Sequence, residues 1–360
     1  MKPILLAKPI IGRGEIKRVL KVLKSGNLAQ GSMVKEFEEQ FSKFVGGRPC
    51  VAVNSGTSAL HIALLALGIG HGDEVLVPSF TFAASANTIA LTGAKPIFTD
   101  IDPRTFNISP SKIEESITSK TKAIMVVHLY GLPAAMPEIL AISKRHNLLV
   151  IEDAAQAHLA RINEVSVGAF GDAAAFSFYP TKNMTTGEGG MVVLNSSDHE
   201  RTCRLLRNQG METRYQNEII GFNLRMTEIN AAIGLEQIKR IVQWTEVRQI
   251  NASRLTENLN SEFFRTPFVP EGYTHSYHQY TVRIPKVREL VSKKLTESQI
   301  GNAVYYPTPV HTLPSFKSNL NLPEALLASE EVLSLPVHPS LSKKELKTIS
   351  STMNQIADSL

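Results

Sequence analysis

The stretch VAVNSGTSALHIALLALG, residues 51–68, decides how the chain folds. It opens as a short apolar run, breaks at Asn54, Ser55, Gly56 and Thr57, and resumes with Leu60, Ala63, Leu64 and Leu67 on one helical face. Outward from it the pattern repeats. CVAVN is followed by EVLVP, KPIFTDI, KAIMVVHLYG, LLVIED, AAAFSF and MVVLN, apolar runs of strand length alternating with helical segments. Runs of that kind are buried on both faces, which argues for an α/β fold with a mainly parallel, seven-stranded central sheet flanked by helices.

Upstream, two amphipathic helices have Ile16, Val19, Leu20 and Leu23, then Val34, Phe37, Phe41 and Phe44, each set on one face, with Gly26 and Gly46 as stops. Downstream of about residue 245 the text changes to YHQYTVRIP, which alternates like a half-buried strand, then AVYYP, and a last helix. That helix opens with a capping box at Ser342 and Glu345 and runs through Leu346, Ile349, Met353 and Ile356. The expected division is a large α/β domain over 1–245 and a smaller α+β domain over 246–360.

Composition excludes several classes. The 38 basic and 33 acidic residues are scattered, without a basic block or interleaved aromatics, so no nucleic-acid surface is expected. Arg201, Arg204 and Arg207 share a helical face, and a solvated face is the better reading of them than an anion site. Two cysteines without CxxC spacing fit a reducing cytoplasm. The opening MKPILLAKPIIG is broken by Pro3 and Pro9 and does not read as a signal segment, and no run is long enough to span a membrane. The histidines show no metal-ligand spacing, and GxxxxGK[ST], HExxH and GxSxG are all absent.

In open α/β sheets ligands gather beyond the carboxyl ends of the strands, so the residues just after each apolar run carry the chemistry. Asn54, Ser55, Gly56 and Thr57 open a helix whose free N–H groups suit a phosphate, although simple capping explains the same residues. Glu152 and Asp153 end a buried run, where a carboxylate needs a cation or serves as a cap. In PSFTFAASANT, Phe80 or Phe82 can lie against a planar ring or pack in the core. Lys182 stands between a strand and a glycine-rich turn, in FSFYPTKNMTTGEGG, where a drier setting favours the neutral, nucleophilic amine. Taken together these are the parts that hold pyridoxal phosphate: a phosphate cup, a carboxylate for the ring nitrogen, a stacking ring and a lysine for the aldehyde.

The ordered set NSGTSALHIALLALGIGHGDEVLVPSFTFAASANTIALTGAKPIFTDID, IEDAAQAH, GDAAAFSFYPTKNMTTGEGG, GFNLRMTEINAAIG and HSYHQYTVRI resembles the DegT/DnrJ/StrS class of sugar aminotransferases. These are fold type I pyridoxal-phosphate enzymes acting on nucleotide-linked keto sugars. The likeness runs from about residue 8 to SLPVHPSLS near residue 342. It implies that Lys182 forms the covalent link to the cofactor, Asp153 pairs with the ring nitrogen and Gln156 supports the ring oxygen. Gly56, Thr57 and Ser177 are implied to hold the phosphate, and Phe82 to stack on the ring. Asn223, in GFNLRM, matches the residue that reaches the partner subunit's phosphate, so a homodimer with shared sites follows. His311 matches a position near the sugar nucleotide, and Glu188 lies beside the site. The implied substrates are a nucleoside-diphosphate keto sugar and, as amino donor, L-glutamate. Two alternatives share the fold: a sugar dehydratase, one type of which has His in place of the lysine, and a non-catalytic regulatory protein. HLARINEVSVG departs from the family pattern, which often has a glycine soon after the position of His158, and leaves that turn open.

Overall fold

A computed structural model describes residues 2–360. Its strands are β1 Cys50–Val53, β2 Glu74–Pro78, β3 Lys95–Thr99, β4 Thr121–Val127, β5 Leu149–Asp153, β6 Arg161–Ile162, β7 Val165–Ser166, β8 Ala173–Ser177, β9 Gly190–Leu194, β10 Tyr273–Thr274, β11 Tyr280–Arg283 and β12 Val332–Leu335. The helices are α1 Arg13–Ser25, α2 Ser32–Ser42, α3 Gly56–Ala66, α4 Ala84–Leu91, α5 Pro110–Ser116, α6 Met136–His146, α7 Ser197–Arg207, α8 Glu228–Gln237, α9 Ile241–Asn258, α10 Arg288–Glu297, α11 Pro323–Glu331 and α12 Lys343–Asp358.

Seven strands form the central sheet in the order β1-β9-β8-β5-β4-β2-β3. β3, β2, β4, β5 and β8 pair in parallel, while β9 runs antiparallel to both β8 and β1. The expected mainly parallel sheet is therefore present, with one reversed strand. β1, β8 and β9 are buried along their whole length, which is why they read as unbroken apolar runs instead of alternating ones.

Each face of the sheet carries its own core. Leu60, Ala63 and Leu64 of α3 lie over Val51, Ala175 and Val192 on one side. On the other, Phe37 and Phe41 of α2 meet Phe178 and Phe176 edge-on, with ring centroids 5.2 and 5.0 Å apart. Such edge contacts add about 0.5–1.5 kcal/mol each beyond the area they bury. The helix α9 connects this assembly to a further core: its Ile241 packs with the phenylalanine cluster, whereas Ala252 and Leu255 pack under the antiparallel pair β11–β12. Ser342 and Glu345 cap α12 as a reciprocal box, and Leu346, Ile349, Met353 and Ile356 all face inward.

Three expectations need correction or completion. In α1 the apolar set does not face the core: Ile16, Leu20 and Leu23 are each about half exposed, at 55%, 49% and 49%. The inward side carries Val22 together with polar groups: Arg18 pairs with Glu236 at 2.7 Å, and Glu15 accepts from Gln237 at 2.6 Å and pairs with Arg240. Arg207 is not solvated either. It is buried and donates to Glu38 at 2.6 Å and to the Ala52 carbonyl at 2.8 Å, and Arg204 reaches the same carboxylate. Arg201 alone of the three fits the exposed reading, paired with Glu212 and Glu218. In HLARINEVSVG, Leu159, directly after His158, adopts a φ of 61° that a glycine would take without strain, and the β6–β7 hairpin follows with Asn163 at a φ of 49°. No helix among the described residues is long and apolar enough to cross a membrane.

Candidate active site

A cavity of about 290 Å³ opens at the carboxyl ends of the parallel strands. Gly56, Thr57, Phe82, Asp153, Gln156, Ser177 and Lys182 all line it, although they come from five separate places in the chain.

The turn after β1 enters α3 with Ser55 as its cap, the hydroxyl accepting the Ser58 N–H at 3.0 Å. Capping and anion binding thus coexist, since the next N–H groups of a first turn have no intrahelical acceptor. Two glycines bring this turn against the sheet. A Cβ on Gly56 would stand 2.7 Å from the Cβ of Ser177, and one on Gly190 would stand 2.3 Å from the Ser55 carbonyl oxygen. Side chains at either position would push the helix start away from β8 and β9.

Successive residues of a strand point to opposite faces, and that separates the two acids at the end of β5. Glu152 turns to the closed side, where it meets His128 Nε2 at 3.0 Å and accepts the N–H groups of Gly168, Phe170 and Gly171 at 2.8–3.0 Å. Burial pushes its pKa up, but these donors outweigh burial and hold it below the usual range. Asp153 turns to the cavity and accepts from the Ser85 hydroxyl at 2.7 Å and the Ala155 N–H at 3.2 Å. Its pKa is raised by burial, against the pull of Ser85, Ala155 and the Lys182 charge.

Lys182 sits on the loop that joins β8 to β9. The loop closes on itself through Phe178, whose N–H meets the Gly189 carbonyl at 2.9 Å and whose carbonyl accepts from Thr185 Oγ1 at 2.8 Å and Thr186 N–H at 3.0 Å. Burial lowers the Lys182 pKa to about 8, with Asp153 opposing the shift. Phe80 and Phe82 divide as cleanly as the two acids: Phe80 is fully buried, while Phe82 is 58% exposed in the cavity wall.

His311 does not line the cavity, and neither does Asn223, which is expected at a partner's site rather than at its own. Asn223 is exposed and pairs only with Asn208 as an isolated bridge. His311 is buried beside Phe98, with Nδ1 against the Ser79 hydroxyl and a further bond to the backbone of Leu320. Its ring is bonded within the 310–320 segment and to Ser79, outside the cavity lining. Conversely, Ser85, Tyr306 and His278 belong to the site and were missed. Tyr306 shares a bond of 3.0 Å with Gln156 Nε2, and its ring lies 5.9 Å from that of Phe82. Gln156 Oε1 is already taken by the Tyr130 N–H at 2.7 Å. The signal for Ser85 was present in PSFTFAASANT, as a hydroxyl one helical turn beyond the aromatic pair.

The donor set fits a flat ring with a phosphate at one end and a basic nitrogen at the other. Helix-end N–H groups and the Thr57 and Ser177 hydroxyls suit the phosphate, and Asp153 suits a protonated nitrogen.

Residues 9–354 match the model of the DegT/DnrJ/EryC1/StrS aminotransferase family. The chain belongs to that family. It is 44% identical over 340 residues to a protein of Geobacillus stearothermophilus named pleiotropic regulatory protein, covering 92% of this chain and 91% of that one. To the GDP-perosamine synthase of Caulobacter vibrioides it is 40% identical over 366 residues, with 98% of each covered. Among solved structures it is similar to NtdA of Bacillus subtilis with bound cofactor PMP, at a TM-score of 0.89 and 32% identity, covering 97% of this chain and 83% of that one. The family match extends over all three cores described above, so the resemblance in the sequence motifs is a resemblance of whole chains.

Proposed function

We propose that this chain is a pyridoxal-phosphate-dependent aminotransferase that moves an amino group, from L-glutamate, to the keto group of a nucleoside-diphosphate sugar. The observation that carries the reading is the placement of Lys182 and Asp153 in one cavity with the Gly56 turn.

When bound, pyridoxal phosphate supplies an aldehyde that exchanges amino groups and a ring that withdraws electrons from the adjoining carbon. Gly56, Thr57 and Ser177 would hold its phosphate, and Phe82 would cover the ring. Asp153, anchored by Ser85, would keep a proton on the ring nitrogen. Gln156, steadied by Tyr130 and Tyr306, would face the ring oxygen. Lys182 Nζ, with its pKa lowered to about 8, is deprotonated far more readily than an ordinary lysine, and so would serve first as nucleophile and then as proton carrier. Glu188 also lines the cavity and is assigned to its substrate side.

The same reading takes the protein as a cytoplasmic homodimer in which Asn223 completes the partner's phosphate site. The exposure of Asn223 and the outward apolar stripe of α1 support it. It also divides the chain into 1–245 and 246–360, a boundary inside α9, which packs on two cores. The relative named a regulatory protein favours a second reading, regulation on the same fold, but a lysine and a carboxylate kept in one cavity weigh against a purely non-catalytic role. A lysine at position 182 likewise weighs against the dehydratase type that has histidine there.

Offering the purified holoenzyme a panel of keto-sugar nucleotides with glutamate, and reading the products by mass spectrometry, tests the activity. An aminated sugar nucleotide is expected, and a panel without any aminated product overturns the assignment. Borohydride reduction followed by peptide mapping should label Lys182 alone.

A further inference from the structure

A second cavity, of about 20 Å³, adjoins the same loop and has Lys8, Lys182, Asn183, Trp244 and Arg248 in its wall. Cationic side chains line it, and no acidic residue does. The central one is Arg248, in the middle of α9 and only 6% exposed. Its Nη1 donates to the Tyr277 carbonyl at 3.0 Å and more loosely to that of His278 at 3.5 Å, while Nε has no partner. Burial alone lowers its pKa, to about 10, and no carboxylate opposes the shift. The histidines around it supply no negative charge, because burial holds His158, His278 and His338 towards their neutral forms. One helical turn earlier, the buried Thr245 hydroxyl also lacks a partner.

A guanidinium taken out of water needs a compensating charge, not merely hydrogen bonds. We propose that the cavity beside Arg248 binds one small monovalent anion of halide size, held by Arg248 Nε and closed in by Lys8 and the Lys182 loop. The volume suits an occupant of the size of one water molecule or halide ion. Asn183 Oδ1 is a further atom without a partner, and as an acceptor it calls for a neighbouring water. Water by itself would satisfy that oxygen but would leave the arginine charge uncompensated. The inference stands apart from the proposed reaction, since it concerns the face of the loop turned to α9.

Crystals of the wild-type holoenzyme soaked in sodium bromide test it directly. An anomalous peak in contact with Arg248 Nε is expected. Water without an anomalous signal, or a carboxylate of the partner subunit filling the cavity, overturns the proposal. In solution, raising chloride against gluconate at constant ionic strength should shift the Tm of the holoenzyme upward to a plateau, and the shift should be lost in Arg248→Gln. A Tm that is indifferent to chloride in the wild type also overturns it, whether or not the variant folds.

Discussion

A lysine and a carboxylate in one cavity set each other's protonation, and in Lys182 and Asp153 burial acts on both in opposite senses. For Lys182 it wins, since the pKa falls from 10.5 to about 8 despite Asp153. The consequence for stability has a definite sign. Below pH 8 the amine is charged in both folded and unfolded chains, and folding bears the full penalty of burying it. Between pH 8 and 10.5 only the unfolded chain keeps the proton, so the penalty fades as pH rises. Cofactor-free Lys182→Met should therefore be more stable than the wild type at pH 7, with the gap closing towards pH 10.5, as read from urea midpoints. If Asp153 has its proposed role, Asp153→Asn keeps the shape but loses the carboxylate that would hold a proton on the ring nitrogen. Turnover should fall by at least about tenfold, roughly 1.4 kcal/mol of barrier, while the urea midpoint changes little. Asp153 is legible in the sequence because it ends a buried apolar run, where a charged group stands out, and Lys182 because it stands between such a run and a glycine-rich turn. Tyr306 and His278 are not, since a tyrosine or histidine in a loop carries no mark of which distant cavity it will face. His311 shows the converse: only the family resemblance singles it out, and its ring fastens a segment that the sequence does not mark.

Elements depend on groups that lie far away in the chain. α2 has no side-chain cap of its own, and Glu228 at the start of α8 supplies one, accepting the N–H groups of Gly31, Met33 and Val34 at 2.9 Å each. A carboxylate there also meets the positive end of the helix. Glu228→Ala leaves those donors without acceptors and should cost about 2–3 kcal/mol in urea unfolding. Because α2 places Phe37 and Phe41 under β8, the loss should also loosen the strand that leads into Lys182. The seven strands are plain in the sequence, as continuous apolar burial leaves a continuous apolar run. The faces of α1 and α7 are not. Periodicity shows that a helix has two unlike sides, but which one meets the protein depends on partners such as Glu236 and Glu38, and these are chosen only by the assembled fold.

At the scale of the whole molecule, the proposed sharing of sites between two subunits would make lesions complementary. Mixing Lys182→Ala subunits with Asn223→Ala subunits should restore activity, since a mixed dimer has one site with both lesions and one with neither. The mixture is scored on dimers confirmed by mass, with each parent assayed alone. Mixed dimers no more active than the parents would show that Asn223 serves its own chain. The reversed strand β9 carries a different consequence, one of time. Val51 of β1 pairs with Val192 of β9, a partner roughly 140 residues further along. At ribosomal rates of about 5–20 residues per second, β1 waits on the order of ten seconds for its only neighbour in the sheet. The last strand of the sheet to be made is thus an inner one, slipped between β1 and β8. Until it is made, β1 has no strand to pair with in the sheet, so the ladder that sets the Gly56 turn beside β8 is completed only with β9.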